Sequence, residues 1–128
     1  MITHLQMVTV WVGDLDRAVE FYTGALGFEK YAEWDGGPGD RIVWVCPEAA
    51  RPVELATGIG LAEAGPERRP GGPTGFVFTS ADVEFTSREL EARGVSFTLD
   101  ARQPPGEPAG EREARFVDLD GNEFLIHS

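Results

Sequence analysis

Cysteine, histidine and basic side chains are scarce in this 128-residue sequence, with one Cys, two His and eleven Lys plus Arg against twenty-two Asp plus Glu. A lone Cys46 permits no internal disulfide, which fits a reducing compartment, and its position after Trp44 and Val45 reads as a small buried hydrophobe rather than a nucleophile. The net charge of −11 repels phosphate backbones and anionic lipid, so nucleic acid and membrane are not expected as partners. No stretch approaches the roughly 20 consecutive apolar residues of a membrane span, and MITHLQMVTV lacks the basic and then apolar run of a signal peptide. A cytoplasmic protein is expected. Nucleophilic catalysis finds no support, because there is no GxSxG and His4 and His127 both stand near the termini. Gly36, Gly37 and Gly39 lie between two strands and not at a helix start, so they form no phosphate-binding loop. Paired-carboxylate acid/base chemistry stays open, since acidic residues are plentiful.

What the sequence does contain is a core and a repeat. Apolar residues make up 41% of the chain, enough to bury an interior and far from the composition of disorder. MVTVWV, Met7 to Val12, reads as a strand; Asp14 is a helix N-cap; and DLDRAVEFYTGALGF places Leu15, Ala18, Val19, Tyr22, Ala25 and Leu26 at helical spacing up to a stop at Gly27. Phe28 to Trp34, Arg41 to Cys46 and Pro52 to Thr57 are the expected second, third and fourth strands. Gly58 to Pro73, with five Gly and three Pro, reads as a linker. The order then begins again. Gly75 to Thr79 is a strand, Asp82 caps a helix with Val83, Phe85, Leu90 and Ala92 as partial core positions, and Gly94 ends it. Strands follow at Val95 to Leu99, Glu113 to Val117 and Glu123 to His127, the last after the tight turn DLDGN. A repeat of about 65 residues suggests two related modules, one at about 1–57 and the other at about 74–128.

The phrases GDLDRAVEFYTGALGFE and FVDLDGNEFLI, together with the repeated βαβββ order, resemble the glyoxalase/bleomycin-resistance/extradiol-dioxygenase superfamily, the vicinal oxygen chelate proteins. The resemblance covers nearly the whole chain. It implies an α+β fold, a single domain of two βαβββ modules with eight strands of mixed sheet curled around a cavity and the helices outside, in a homodimer. Its metal enzymes hold one divalent ion on four inward side chains, and motif alignment puts those positions at Met7, Glu54, Gly75 and Leu125. Of these only Glu54 suits a hard or borderline divalent ion, because a thioether is a poor ligand and Gly75 and Leu125 offer no donor. The expectation is therefore no metal and no other cofactor. His4 has the wrong strand parity to rescue such a site, and His127 has the right parity but is penultimate.

Without a metal, the expected ligand cleft is lined by Met7, Thr9, Trp11, Gly75, Val77 and Leu125, an apolar surface with a few polar groups. Trp11 offers a ring to stack on a flat ligand, and Gly75 allows close approach. Glu54, in such a cleft, meets an arginine, shifts its pKa upward, or meets a cationic ligand. The facing of Tyr31, Trp34 and Trp44 stays open, because the intervening turn could contain a bulge. The reading is a non-catalytic binding protein like the drug-sequestering, bleomycin-resistance branch, with a cationic aromatic small molecule as partner. The alternatives are a metal-dependent lyase or dioxygenase, a metal-free isomerase using Glu54 as base, and a regulatory module with a filled cavity.

Overall fold

The β-branched run MVTVWV forms strand β1 (Met7–Val12), and the Asp14 carboxylate then accepts the Arg17 N–H at 3.1 Å to start helix α1 (Leu15–Thr23). A second carboxylate joins it: Glu63 Oε1 accepts the Leu15 N–H at 3.3 Å, so two anions meet the positive end of α1. The computed structural model describes residues 1–47 and 57–128. After α1 come β2 (Phe28–Asp35), β3 (Arg41–Pro47) and β4 (Gly58–Glu63), then β5 (Gly72–Thr79), α2 (Val83–Ala92), β6 (Ser96–Arg102), β7 (Glu113–Val117) and β8 (Asn122–His127). The eight strands make two four-stranded mixed sheets, ordered β1-β4-β3-β2 and β5-β8-β7-β6, within the units Met1–Pro70 and Gly71–Ser128. In each, the first strand pairs in parallel with the last and the other neighbours are antiparallel, so the sequence repeat is a repeat of topology.

Several expected boundaries move. The fourth strand, expected at Pro52 to Thr57, is formed by Gly58–Glu63, inside the stretch read as linker. GIGLAE is poor in turn-forming alternatives because Ile59 and Leu61 alternate with Gly58, Gly60 and Ala62, a period of two that glycine content masks. Helix α1 stops at Thr23 rather than running to Leu26; Gly24 donates to the Glu20 carbonyl at 2.8 Å, Leu26 to the Phe21 carbonyl at 3.1 Å, and Gly27 (φ +70) turns the chain into β2. Helix α2 ends as expected at Gly94 (φ +91), where Val95 N–H reaches the Leu90 carbonyl at 3.0 Å and Gly94 N–H the Glu91 carbonyl at 2.9 Å, the paired bonds of a Schellman stop. Its buried residues are Val83, Ser87 and Leu90, while Phe85 and Ala92, expected in the core, are exposed.

One face of each sheet is closed by its helix. In the first module Leu15, Ala18 and Tyr22 of α1 are buried along with Val10, Val12, Val43, Val45, Ile59 and Leu61, alternate residues of three strands. In the second, Phe76, Phe78, Phe97, Phe116 and Phe124 form a continuous aromatic cluster around the buried Phe116 and Phe124, with Phe78 and Phe116 both 5.4 Å from Phe124 between ring centroids. The turn before β8 is fixed by Asp118. Its carboxylate accepts the N–H groups of Asp120 and Asn122, each at 2.9 Å, and the Asn122 side-chain amide at 2.8 Å, while Asn122 Oδ1 accepts the Gly71 N–H at 2.9 Å. Asp118 is 6% exposed, so its removal leaves donors without water to replace it. Asp118→Ala is expected to lower unfolding free energy by about 3 kcal/mol, read from urea melts followed by circular dichroism. A change below about 1 kcal/mol would show that the turn holds without it.

Candidate functional site

The face of the first sheet turned away from α1 follows from strand pairing. Directly paired residues share a face, so the row Trp11, Ala62, Ile42 and Trp34 crosses four strands, and the next row is Thr9, Gly60, Trp44 and Ala32. Met7 and Gly58 follow in a third row. Down the middle of this face, strand β4 presents only Gly58, Gly60 and Ala62. Large side chains flank that strip on both sides. The register shift between Lys30 and Ala32 makes Tyr31 a bulge residue, and its hydroxyl occupies the space a Cβ at Gly58 would need. Over Gly60 lie Met7 Sδ and Ile42 Cγ2, the latter 3.3 Å from where a Cβ would stand, and the Trp44 indole N–H is directed at the Met7 sulfur. The three tryptophans of the chain thus share one sheet face with Tyr31. Trp34 and Tyr31 remain 47% and 40% exposed, enough to meet a ligand.

Burial raises the Tyr31 phenol above its ordinary ionisation range, and the neighbouring Cys46 adds to the shift. Cys46 itself is buried, as expected of a small hydrophobe. On the opposite side of β2, Glu33 accepts from Lys30 at 2.6 Å and from Arg41 at 2.7 Å, and these bonds hold its carboxyl below the usual range.

The corresponding face of the second sheet has a different chemistry. Gly75, Val77 and Leu125 lie together there, with Val77 and Leu125 directly paired. They line a cleft of about 190 Å³ with Pro73, Phe76, Phe124, Arg115 and Glu123. The cleft exists because β5 leaves the ladder between Pro73 and Val77; the Thr74 hydroxyl bonds the Glu123 carbonyl at 2.7 Å in place of a backbone donor. Gly75 has φ +75, and a Cβ there would meet nothing within 4 Å, so glycine is required by backbone conformation and not by crowding. Glu123 Oε2 accepts from Thr98 Oγ1 at 2.8 Å, and Glu123 Oε1 stands 3.8 Å from Arg115 Nη1. Farther along the face, Glu113 is 8% exposed and bonded to Arg102 at 2.9 Å.

The pairing also tests whether the residues suit the metal that the resemblance implies. Leu125 pairs with Val77 on the parallel strand, and the residue of β4 with the same relation to Thr9 is Gly60. Glu54 lies outside the described residues. Met7, Gly60, Gly75 and Leu125 offer a thioether, already engaged by Trp44, two hydrogens and an alkyl chain, a set that does not fit a hard or borderline divalent ion. Among the described residues no three His, Cys, Asp or Glu side chains cluster as metal ligands would. His127 contacts the Ser128 carbonyl at 2.8 Å and lies 3.8 Å from Glu111, while His4 is bonded to Thr3 at 2.9 Å.

Met7, Thr9 and Trp11 are therefore gathered on one face of the first module, and Gly75, Val77 and Leu125 on one face of the second. Sequence reasoning missed the small-residue strip, whose signal was the alternation in GIGLA, and the polar partners Glu123 and Arg115. Glu123 was legible by parity, since it stands two residues before Leu125.

The sequence profile of the Glyoxalase/Bleomycin resistance protein/Dioxygenase superfamily matches residues 3–126. The uncharacterized protein YetH of Bacillus subtilis is 27% identical over 129 aligned residues, covering 98% of both chains. A crystal structure of a member of the same superfamily from Sphaerobacter thermophilus is 32% identical, with a TM-score of 0.83 over 98% of this chain and 97% of that one. TnmS3, an antibiotic binding protein from Streptomyces sp. CB03234, is 29% identical, with a TM-score of 0.75 over 98% of this chain and 94% of its own.

The raised Tyr31 phenol sets a pH dependence. A group whose proton is held more tightly in the folded state contributes its full stability below its unfolded pKa, here 10.0, and loses it as pH rises through the folded value. The urea midpoint of the native protein is expected to fall more steeply above pH 10 than that of Tyr31→Phe. Parallel curves would place the phenol in free solvent.

Proposed function

We propose that this chain, which belongs to the Glyoxalase/Bleomycin resistance protein/Dioxygenase superfamily, is a metal-free binding protein for a planar, cationic, aromatic small molecule. The superfamily fold serves many chemistries, so the reading rests on the site. The observation that carries it is the gathering of Trp11, Trp34, Trp44 and Tyr31 around the strip Gly58, Gly60 and Ala62. The small residues of β4 make room for Tyr31 and Met7 to lie over the strand, and the partly exposed Trp34 and Tyr31 offer π faces beside them. The likeness to TnmS3, an antibiotic binding protein, supports a drug-like ligand. Two features favour a cation: the net charge of −11 draws positive ligands toward the protein, and indole faces attract them at contact.

In this reading Met7, Thr9 and Trp11 are ligand contacts in the first module, with Glu54 as a counter-charge. Gly75, Val77 and Leu125 are contacts in the second, where Glu123 adds a carboxylate beside the cleft. Lyase or dioxygenase chemistry through a divalent ion would need donors that Met7, Gly60, Gly75 and Leu125 lack. Among the described residues no helix is long and apolar enough to cross a membrane.

Proflavine, a planar acridine cation, is expected to quench tryptophan emission on titration into protein shown by elemental analysis to carry no stoichiometric metal. A desolvated cation–π contact is worth ~2 kcal/mol, so Trp11→Ala should weaken binding roughly thirtyfold. Glu54→Gln should weaken proflavine and leave uncharged acridone nearly unaffected. Unchanged affinity in both variants would remove the cation-trapping reading, and one Zn, Ni, Fe or Mn per chain would restore the enzyme. The reading extends to a homodimer, because β1 and β2, and likewise β5 and β6, are edge strands of their sheets. Sedimentation equilibrium at micromolar concentration should return twice the 13.9 kDa chain mass, and a strict monomer would sever this part of the drug-trapping analogy.

A further inference from the structure

The ring that the proposed ligand would stack on is already covered by a cation of the chain itself. The Arg68 guanidinium carbon lies 4.1 Å from the centroid of the Trp11 ring. Its position follows from the local backbone. Strand β4 ends at Glu63 beside Val12, Ala64 N–H continues the ladder to the Val12 carbonyl at 2.8 Å, and the chain then turns at Gly65-Pro66-Glu67-Arg68, closed by Arg68 N–H to the Gly65 carbonyl at 3.0 Å. Proline at the second position of such a turn fixes its φ, so the side chain is returned toward β1 from a stiff base. Among the described residues no carboxylate pairs with Arg68, in a protein with twice as many acidic as basic groups. Arg68 is an exposed residue whose guanidinium lies over the indole.

We infer that Arg68 is a tethered competitor for the Trp11 ring face, which any ligand stacking there must displace. This rests on the ligand-binding reading of the same face. A guanidinium is flat, permanently charged and weakly hydrated, so it presents to indole the chemistry of the ligand it stands in for. Every ligand that stacks there bears the same cost of displacing it, and a large cationic ring system offsets that cost best, because it gains the same cation–π attraction and more stacking area. Displacement leaves the Arg68 guanidinium wholly in water.

Two measurements on the full chain test this. In a Trp34→Phe/Trp44→Phe background, whose folding is checked by circular dichroism, Trp11 is the sole tryptophan. Arg68→Ala should then raise its acrylamide quenching constant about twofold, whereas Arg69→Ala, with the same change of charge, should not. In the native background Arg68→Ala should tighten proflavine and uncharged acridone alike, by roughly threefold, the worth of an exposed cation–π contact. A gain for proflavine alone that Arg69→Ala reproduces is a field effect and overturns the inference. Unchanged quenching overturns it too. If native protein binds proflavine and Arg68→Ala brings no gain, the competitor fails while the binding reading stands; if neither protein binds any probe at millimolar concentration, the binding reading fails and takes the competitor with it.

Discussion

The layer between α1 and its sheet decides what the rest of the first module can present. Leu15, Ala18 and Tyr22 are buried together with Val10, Val12, Val43, Val45 and Leu61, and a strand that commits its odd or even residues to such a layer has no freedom left for the others. A slip of one residue in β1 would bury Thr9 and Trp11 under the helix and expose the valines. The aromatic face is thus the remainder of a packing problem solved on the other side. Its contents were free to vary in chemistry but not in place.

The two modules use one topology for opposite distributions of aromatic residues. In the second, five phenylalanines fill the helix side and the outer face carries Glu113, Arg115, Glu123 and Leu125. In the first, the aromatic rings around the helix are Phe21, Tyr22 and Phe28, with Tyr22 meeting the other two edge to face at 5.7 and 6.1 Å, the strand residues of the core are aliphatic, and the outer face holds the indoles. Phenylalanine has no polar atom to satisfy and suits a closed core; tryptophan and tyrosine keep an N–H or O–H that needs a partner, and a half-open face supplies one. The contrast favours a binding role for the first face over a merely structural one.

Much of this was legible in the amino-acid order. Asp14 and Asp82 announce the helices, Gly94 ends the second, and β-branched runs mark most strands within a residue or two. The parity argument for Met7, Thr9 and Trp11 needed only one buried neighbour, and Val10 and Val12 are that neighbour. Strand β4 was lost because glycine is weighted as a breaker, whereas Gly58 and Gly60 serve there as the absence of side chains beneath Tyr31 and Met7. The facing of Trp34 and Trp44 depended on a bulge at Tyr31, and a bulge leaves no compositional trace. The cleft beside Gly75 likewise depends on unpaired backbone, which only the register reveals.

The placement of the indoles has a consequence for measuring the stability of this protein. Trp11, Trp34 and Trp44 all belong to the unit Met1–Pro70, and the unit Gly71–Ser128 contains none. Emission therefore follows only half of the molecule during denaturation, while far-ultraviolet circular dichroism follows both sheets and both helices. Coincidence of the two transitions is the ordinary criterion for all-or-none unfolding. Here it becomes a direct assay of cooperativity between duplicated halves: superimposed curves mean that neither repeat survives the loss of the other, and separated curves give each repeat its own midpoint.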